Sequence, residues 1–209
     1  MRTHCATLAL ALAFVMPCLS GAAPAEGAAA TPPSGCLPGG NGYLRARIRG
    51  AFNLDIHWQD AELQCEGSVR PDGSGIRVSF AGPLRSDGRR LRMVFGVERA
   101  VEGAAANALP ADLTVIFEGE KRLFSTRGAN GCTVDKLEQE RIGALGGTQR
   151  PYRVIARGFC IEPVNTLNAE ERIVVSSFDF AGQVTFSDGP PAMQPPRQPP
   201  ATAPSAAAP

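Results

Sequence analysis

The chain has 209 residues, 21 Lys and Arg against 20 Asp and Glu, and 44% apolar residues, with 18 prolines and 6 cysteines. The near-zero charge excludes a dedicated nucleic-acid binder, which carries a strong basic excess. The ordinary apolar content excludes a chain disordered throughout, and the length supports one or two domains.

Residues 1–25 read as a secretory signal. Arg2 supplies a positive start, residues 8–16 (LALALAFVM) form an apolar run too short to span a bilayer, and Ala23-Pro24-Ala25 is a small-residue cleavage site. Cys18 follows Val15-Met16-Pro17, a poor context for lipidation. Cleavage removes Arg2 and no carboxylate, so the mature chain balances its charge. No later apolar run reaches spanning length, so no transmembrane segment is expected after cleavage, and the expected location is periplasmic or secreted, by a bacterial export signal. Residues 26–35 are a small-residue linker. Residues 187–209, rich in proline and alanine, are expected to be a disordered tail that favours extended polyproline II conformations. One domain remains, residues 36–186.

Within it, Leu44, Ala46, Ile48, Phe52, Leu54, Ile56 and Trp58 occupy even positions, whereas Arg45, Arg47, Arg49, Asn53, Asp55 and His57 occupy odd ones. Period two predicts a half-buried strand, or two strands sharing a face through a bend at Gly50. Strands over 63–69 and 76–81 flank the turn formers Arg70-Pro71-Asp72-Gly73-Ser74-Gly75, and the symmetric hairpin sets Val69 against Ile76, Gly67 against Val78 and Cys65 against Phe80. Residues 91–97 are a further strand. Strands 113–118 and 121–126 bracket Gly119-Glu120, as a type II′ turn requires, with Glu118 opposite Lys121 and Val115 opposite Phe124.

Residues 133–145 carry helix signals, Asp135 with Glu138 as a capping box and Gly146-Gly147 as a stop. A strand is preferred, because a hairpin centred at 146 sets Cys132 opposite Cys160, Asp135 opposite Arg157 and Leu137 opposite Ile155. The last strand, 172–186, carries Val174, Phe178, Phe180, Val184 and Phe186 on one parity, while Ile173 and Val175 make its start apolar on both faces. The expected fold is all-β: an antiparallel β-sandwich or partly closed barrel of about eight strands with two disulfides.

Two cysteines leave with the signal, and Cys36, Cys65, Cys132 and Cys160 remain for an oxidising compartment. The hairpin joins Cys132 to Cys160, which leaves Cys36 for Cys65. Each bridge closes about thirty residues and stabilises by roughly 3 kcal/mol in the loop-entropy treatment. There is no C-x-x-C, and His57 is the one histidine of the mature chain, which disfavours a zinc or redox site.

Chemistry is sparse. Asp55 could orient His57 as a general base, but Ser74 sits in the turn Gly73-Ser74-Gly75 rather than on a nucleophile elbow, so no catalytic residue is assigned. Asp72-Gly73 and Asp87-Gly88 read as turn residues rather than calcium ligands, and no metal or cofactor site is expected. Arg45, Arg47 and Arg49 point the same way, about 7 Å apart, and could hold phosphates or uronates of an envelope polymer, since guanidinium pairs bidentately with both. Against this, nearly every cation of the chain is arginine, and carboxylates on neighbouring strands would neutralise the row.

The expected function is therefore an exported, non-catalytic β-sandwich protein with a structural or binding role at the cell envelope, its partner an acidic envelope polysaccharide or lipopolysaccharide. One alternative is a carrier of a hydrophobic ligand in a barrel cavity, distinguished by whether Phe80, Phe95, Phe117 and Phe178 fill the interior. A second is a hydrolase using His57. A transmembrane barrel is disfavoured, because one Trp and two Tyr cannot build aromatic girdles.

Overall fold

The alternation between residues 43 and 59 folds as two strands, β1 (Tyr43–Gly50) and β2 (Leu54–Gln59), paired antiparallel from Tyr43–Gln59 to Ile48–Leu54. Gly50 makes the bend with φ 128°, and a Cβ there would stand 2.6 Å from the Arg172 carbonyl oxygen. In this computed structural model, residues 35–128, 130–143 and 148–188 are described. The predicted signal with Cys18, residues 26–34 of the linker, Gly146-Gly147 and the proline-rich residues 189–209 lie outside them.

The remaining strands are β3 (Gln64–Val69), β4 (Gly75–Ala81), β5 (Arg90–Glu98), β6 (Ala106–Glu118), β7 (Arg122–Ser125), β8 (Cys132–Arg141), β9 (Gln149–Cys160), β10 (Val164–Thr166) and β11 (Arg172–Ser187). The fold is all-β, with eleven strands among the described residues rather than about eight. The division of 43–59 and the three-residue β10 add to the strands read from the sequence. Neighbouring strands run antiparallel except at one contact, Ser68 of β3 beside Thr185 of β11. That contact closes the ring β11-β9-β8-β6-β5-β4-β3, while β1 and β2 extend from β11, and β7 and β10 bridge β6 to β11.

The β3–β4 hairpin has the expected register, with Val69 on Ile76, Gly67 on Val78 and Cys65 on Phe80. Two departures share a cause, an interruption of period two. Cys132 faces Cys160 as expected, but β8 shifts register between Val134 and Lys136, so Arg157 pairs with Lys136 and Leu137 with Ala156. Asp135 is the extra residue of this bulge, which turns both Val134 and Leu137 inward although they are an odd number of positions apart. In β11, Ser176 is the extra residue, so Ile173 and Val175 are buried while Val174 is 42% exposed. The β6–β7 hairpin keeps the expected register, with Val115 on Phe124, but its turn differs: the Glu120 N–H donates to the Phe117 carbonyl, with Gly119 third rather than second in the turn at φ 86°. Glu118 turns to Arg90 and Arg92 instead of Lys121.

Phe80, Phe95, Phe178 and Phe180 fill the centre, their ring centroids 4.9–6.3 Å apart. Phe117 belongs to a second cluster with Phe52 and Phe124. The Arg122 guanidinium lies 5.1–5.5 Å from all three rings while binding Glu171 through two hydrogen bonds. The domain extends slightly beyond 36–186. The Gly35 N–H donates to the Leu63 carbonyl, Ser187 pairs with Gln149, and Asp188 meets Arg150 at 2.7 Å.

Both disulfides form as expected, Cys36–Cys65 and Cys132–Cys160. Two disulfides fit a protein outside the reducing cytoplasm. Among the described residues no helix is long and apolar enough to cross a membrane.

Candidate functional site

Odd-numbered residues of β1 and β2 point away from the core, and pairing aligns them with outward residues of three more strands. His57 stands opposite Arg45, Arg45 opposite Asp179, Asp179 opposite Arg157, and Arg157 opposite Lys136. The result is one row, His57–Arg45–Asp179–Arg157–Lys136, crossing β2, β1, β11, β9 and β8. With strands about 4.8 Å apart it spans about 19 Å.

The three arginines of β1 have different surroundings. Arg49 is committed: Nη1 lies 2.8 Å from Asp55 Oδ1 and donates to the Ile48 carbonyl at 2.7 Å, and Nη2 donates to Asp55 Oδ2 at 3.0 Å. That hydrogen bond from Arg49 holds the Asp55 carboxyl below the usual range. Arg47 approaches the same carboxylate only to 3.8 Å and stays exposed. Arg45 lies over the Tyr43 ring, 5.0 Å from its centroid. Among the described residues, neither Arg45 nor Arg157 has a carboxylate oxygen within ion-pair distance.

Asp179, the carboxylate in the middle of the row, is held by a hydrogen bond from the Tyr43 hydroxyl to Oδ1 at 2.8 Å. Burial first, and then this bond, push the Tyr43 phenol above its ordinary pKa. Two shallow clefts share Asp179. One, about 160 Å³, is lined by Arg45, Arg47, Asp55, His57 and Ser177, and the other, about 190 Å³, by Tyr43, Lys136, Glu138, Ile155 and Arg157. Lys136 is partly spent on Glu138 at 2.5 Å.

Ser177 carries no signal in the sequence because it is far from His57 in the chain. Pairing places it opposite Arg47, itself opposite Asp55, so Ser177 and His57 are two strands and two residues apart, about 12 Å between backbones. Proton transfer needs about 3 Å, and among the described residues no hydrogen bond joins His57 to Asp55 or Ser177. The strands thus bring Asp55, His57 and Ser177 to one cleft without joining His57 to either by a hydrogen bond. Asp179, Arg157 and Lys136 are equally invisible in the sequence, since only strand pairing brings them to β1.

The outer face of β4, β5 and β6, elsewhere on the ring, is occupied by internal pairs. Arg90 and Arg92 both donate to Glu118, and Arg70 meets Asp112 at 2.5 Å. Among the described residues no group of three metal-ligating side chains occurs. No family model, no curated protein and no solved structure matches this chain.

Proposed function

We propose that this is an exported, non-catalytic protein that holds an acidic polymer of the cell envelope, a polysaccharide or lipopolysaccharide, against the outer face of β2, β1, β11, β9 and β8. The observation that carries the reading is the pair Arg45 and Arg157, two strands apart in one row and both without a carboxylate partner among the described residues. A guanidinium presents five donors in a fixed fork that fits carboxylate or phosphate bidentately. The signal-like residues 1–25 and the two disulfides support export to the periplasm or beyond. The phenylalanine-filled centre favours a surface site over a carrier's cavity.

The test is binding of a uronate polymer and of lipopolysaccharide across a salt titration. Affinity should fall as salt rises, because screening weakens exposed charge pairs. Replacing Arg45 and Arg157 together by glutamine should abolish binding and change stability by only about 0–1 kcal/mol per exposed charge. Arg49→Gln, at a side chain already tied to Asp55, should change binding little. Binding that ignores salt, or survives the double substitution, overturns the reading.

A further inference from the structure

We infer that Asp179 makes this face selective for hydroxyl-bearing acidic polysaccharides over phosphate polymers, an inference that rests on the anion-binding reading above. A row built only to hold anions would have no use for a carboxylate at its centre. Here Asp179 stands directly opposite Arg45 on one side and Arg157 on the other, yet neither guanidinium closes on it to ion-pair distance. Its Oδ1 is satisfied by the Tyr43 hydroxyl, and among the described residues Oδ2 receives no hydrogen bond. Because Asp179 lines both clefts, a ligand that reaches from Arg45 to Arg157 must lie over it.

Covering a carboxylate with a ligand that cannot donate a proton strips its water without replacement. The oxygens of a phosphate chain only accept, and they bring a second negative charge within a few ångströms. A uronate polymer presents the complementary pattern. Its carboxylates are separated by sugar rings whose hydroxyls donate, so one carboxylate can meet Arg45, the next Arg157, and a hydroxyl between them Oδ2 of Asp179. The two arginines, about 10 Å apart, leave room for such an intervening group. Tyr43 contributes by fixing one oxygen of Asp179 and leaving the other for the ligand.

The experiment compares oligogalacturonate with linear polyphosphate carrying the same number of anionic groups, at one ionic strength, by titration calorimetry. The full-length protein should bind oligogalacturonate about tenfold more tightly, the size expected for one hydrogen bond to a charged acceptor. Asp179→Asn should raise polyphosphate affinity and erase the preference. Tyr43→Phe, which keeps the carboxylate but frees its orientation, should narrow the preference without erasing it, and thermal melts of each variant establish that it is folded. Equal affinity of the unsubstituted protein for both probes overturns the selectivity and leaves anion binding standing. The selectivity is likewise overturned if Asp179→Asn strengthens both probes by one factor. If neither probe binds the unsubstituted protein, the anion-binding reading falls and the selectivity with it.

Discussion

Arg70 and Asp112 meet over bare backbone. From the end of β3, Arg70 Nη1 reaches across β4 and over Gly96 of β5 to Asp112 Oδ2 on β6, at 2.5 Å. A Cβ at Gly96 would stand 2.4 Å from both atoms, so the ion pair exists because that position has no side chain. Gly96 pairs with Arg77 on one side and Asp112 on the other, in the interior of the sheet, where glycine otherwise weakens a strand.

Gly96→Ala should therefore cost about 0–1 kcal/mol in urea unfolding, the value of a displaced ion pair, because the groups in its way are the ends of two flexible side chains. The cost should shrink markedly in an Arg70→Ala background, where the guanidinium no longer occupies the notch. A double-mutant cycle measures the coupling. Equal costs in both backgrounds would show that the notch does not serve the pair.

Glu118 gives a pH dependence. Burial pushes its carboxyl up, but hydrogen bonds from Arg90 and Arg92 outweigh burial and hold it below the usual range. A carboxylate with a depressed folded pKa stabilises fully above its unfolded value, about 4.3, and that stabilisation is lost as pH falls through the folded value. Glu118→Gln should cost about 1–3 kcal/mol at neutral pH. Its difference in melting temperature from the unsubstituted protein should close in strong acid, where both side chains are neutral. A difference that persists there would assign the cost to shape rather than charge.

Asp60 organises the entry to the domain. Its Oδ1 accepts the backbone N–H groups of Cys36, Leu37 and Gly42 at 3.1, 3.0 and 2.8 Å. Asp60→Ala should cost about 1–3 kcal/mol by leaving these donors unmet. Hydrogen exchange should accelerate at the Leu37 and Gly42 amides and stay slow in β5, because the loss is local. Uniform acceleration would place Asp60 in the global core instead. Asp60→Asn, which keeps an acceptor oxygen, should be milder.

Replacing Cys132 and Cys160 together by alanine should cost about 3–4 kcal/mol, the loop-entropy value for the 28-residue separation. The same substitution at Cys36 and Cys65, separated by 29, should cost about as much. Non-reducing peptide mapping should recover these two bridges. A Cys36–Cys160 peptide would contradict both the pairing and the β8–β9 register.

Local order was readable from the chain. Alternation put Leu44, Ile48 and Ile56 inside and Arg45 and Arg47 outside, since side-chain direction in a strand depends only on parity. Counting outward from a turn aligned Val69 with Ile76, because a short loop leaves a hairpin little choice of register. Counting from 146 also aligned Cys132 with Cys160, but the chain reaches that pairing only through the bulge at Asp135, since beside the turn Arg141 pairs with Tyr152. Folding in three dimensions decided the rest. The bulges at Asp135 and Ser176 reverse parity, and they form because Val134, Leu137 and Ile173 must all reach one shared core. The start of β6 (Ala-Asn-Ala-Leu-Pro-Ala) has no alternation of its own and becomes a strand through pairing with β8. Arg45, Asp179 and Arg157 are likewise joined only by the pairing of β1, β11 and β9. Pairing between strands so distant in the chain follows from closure of the ring around one core, and no local pattern encodes it.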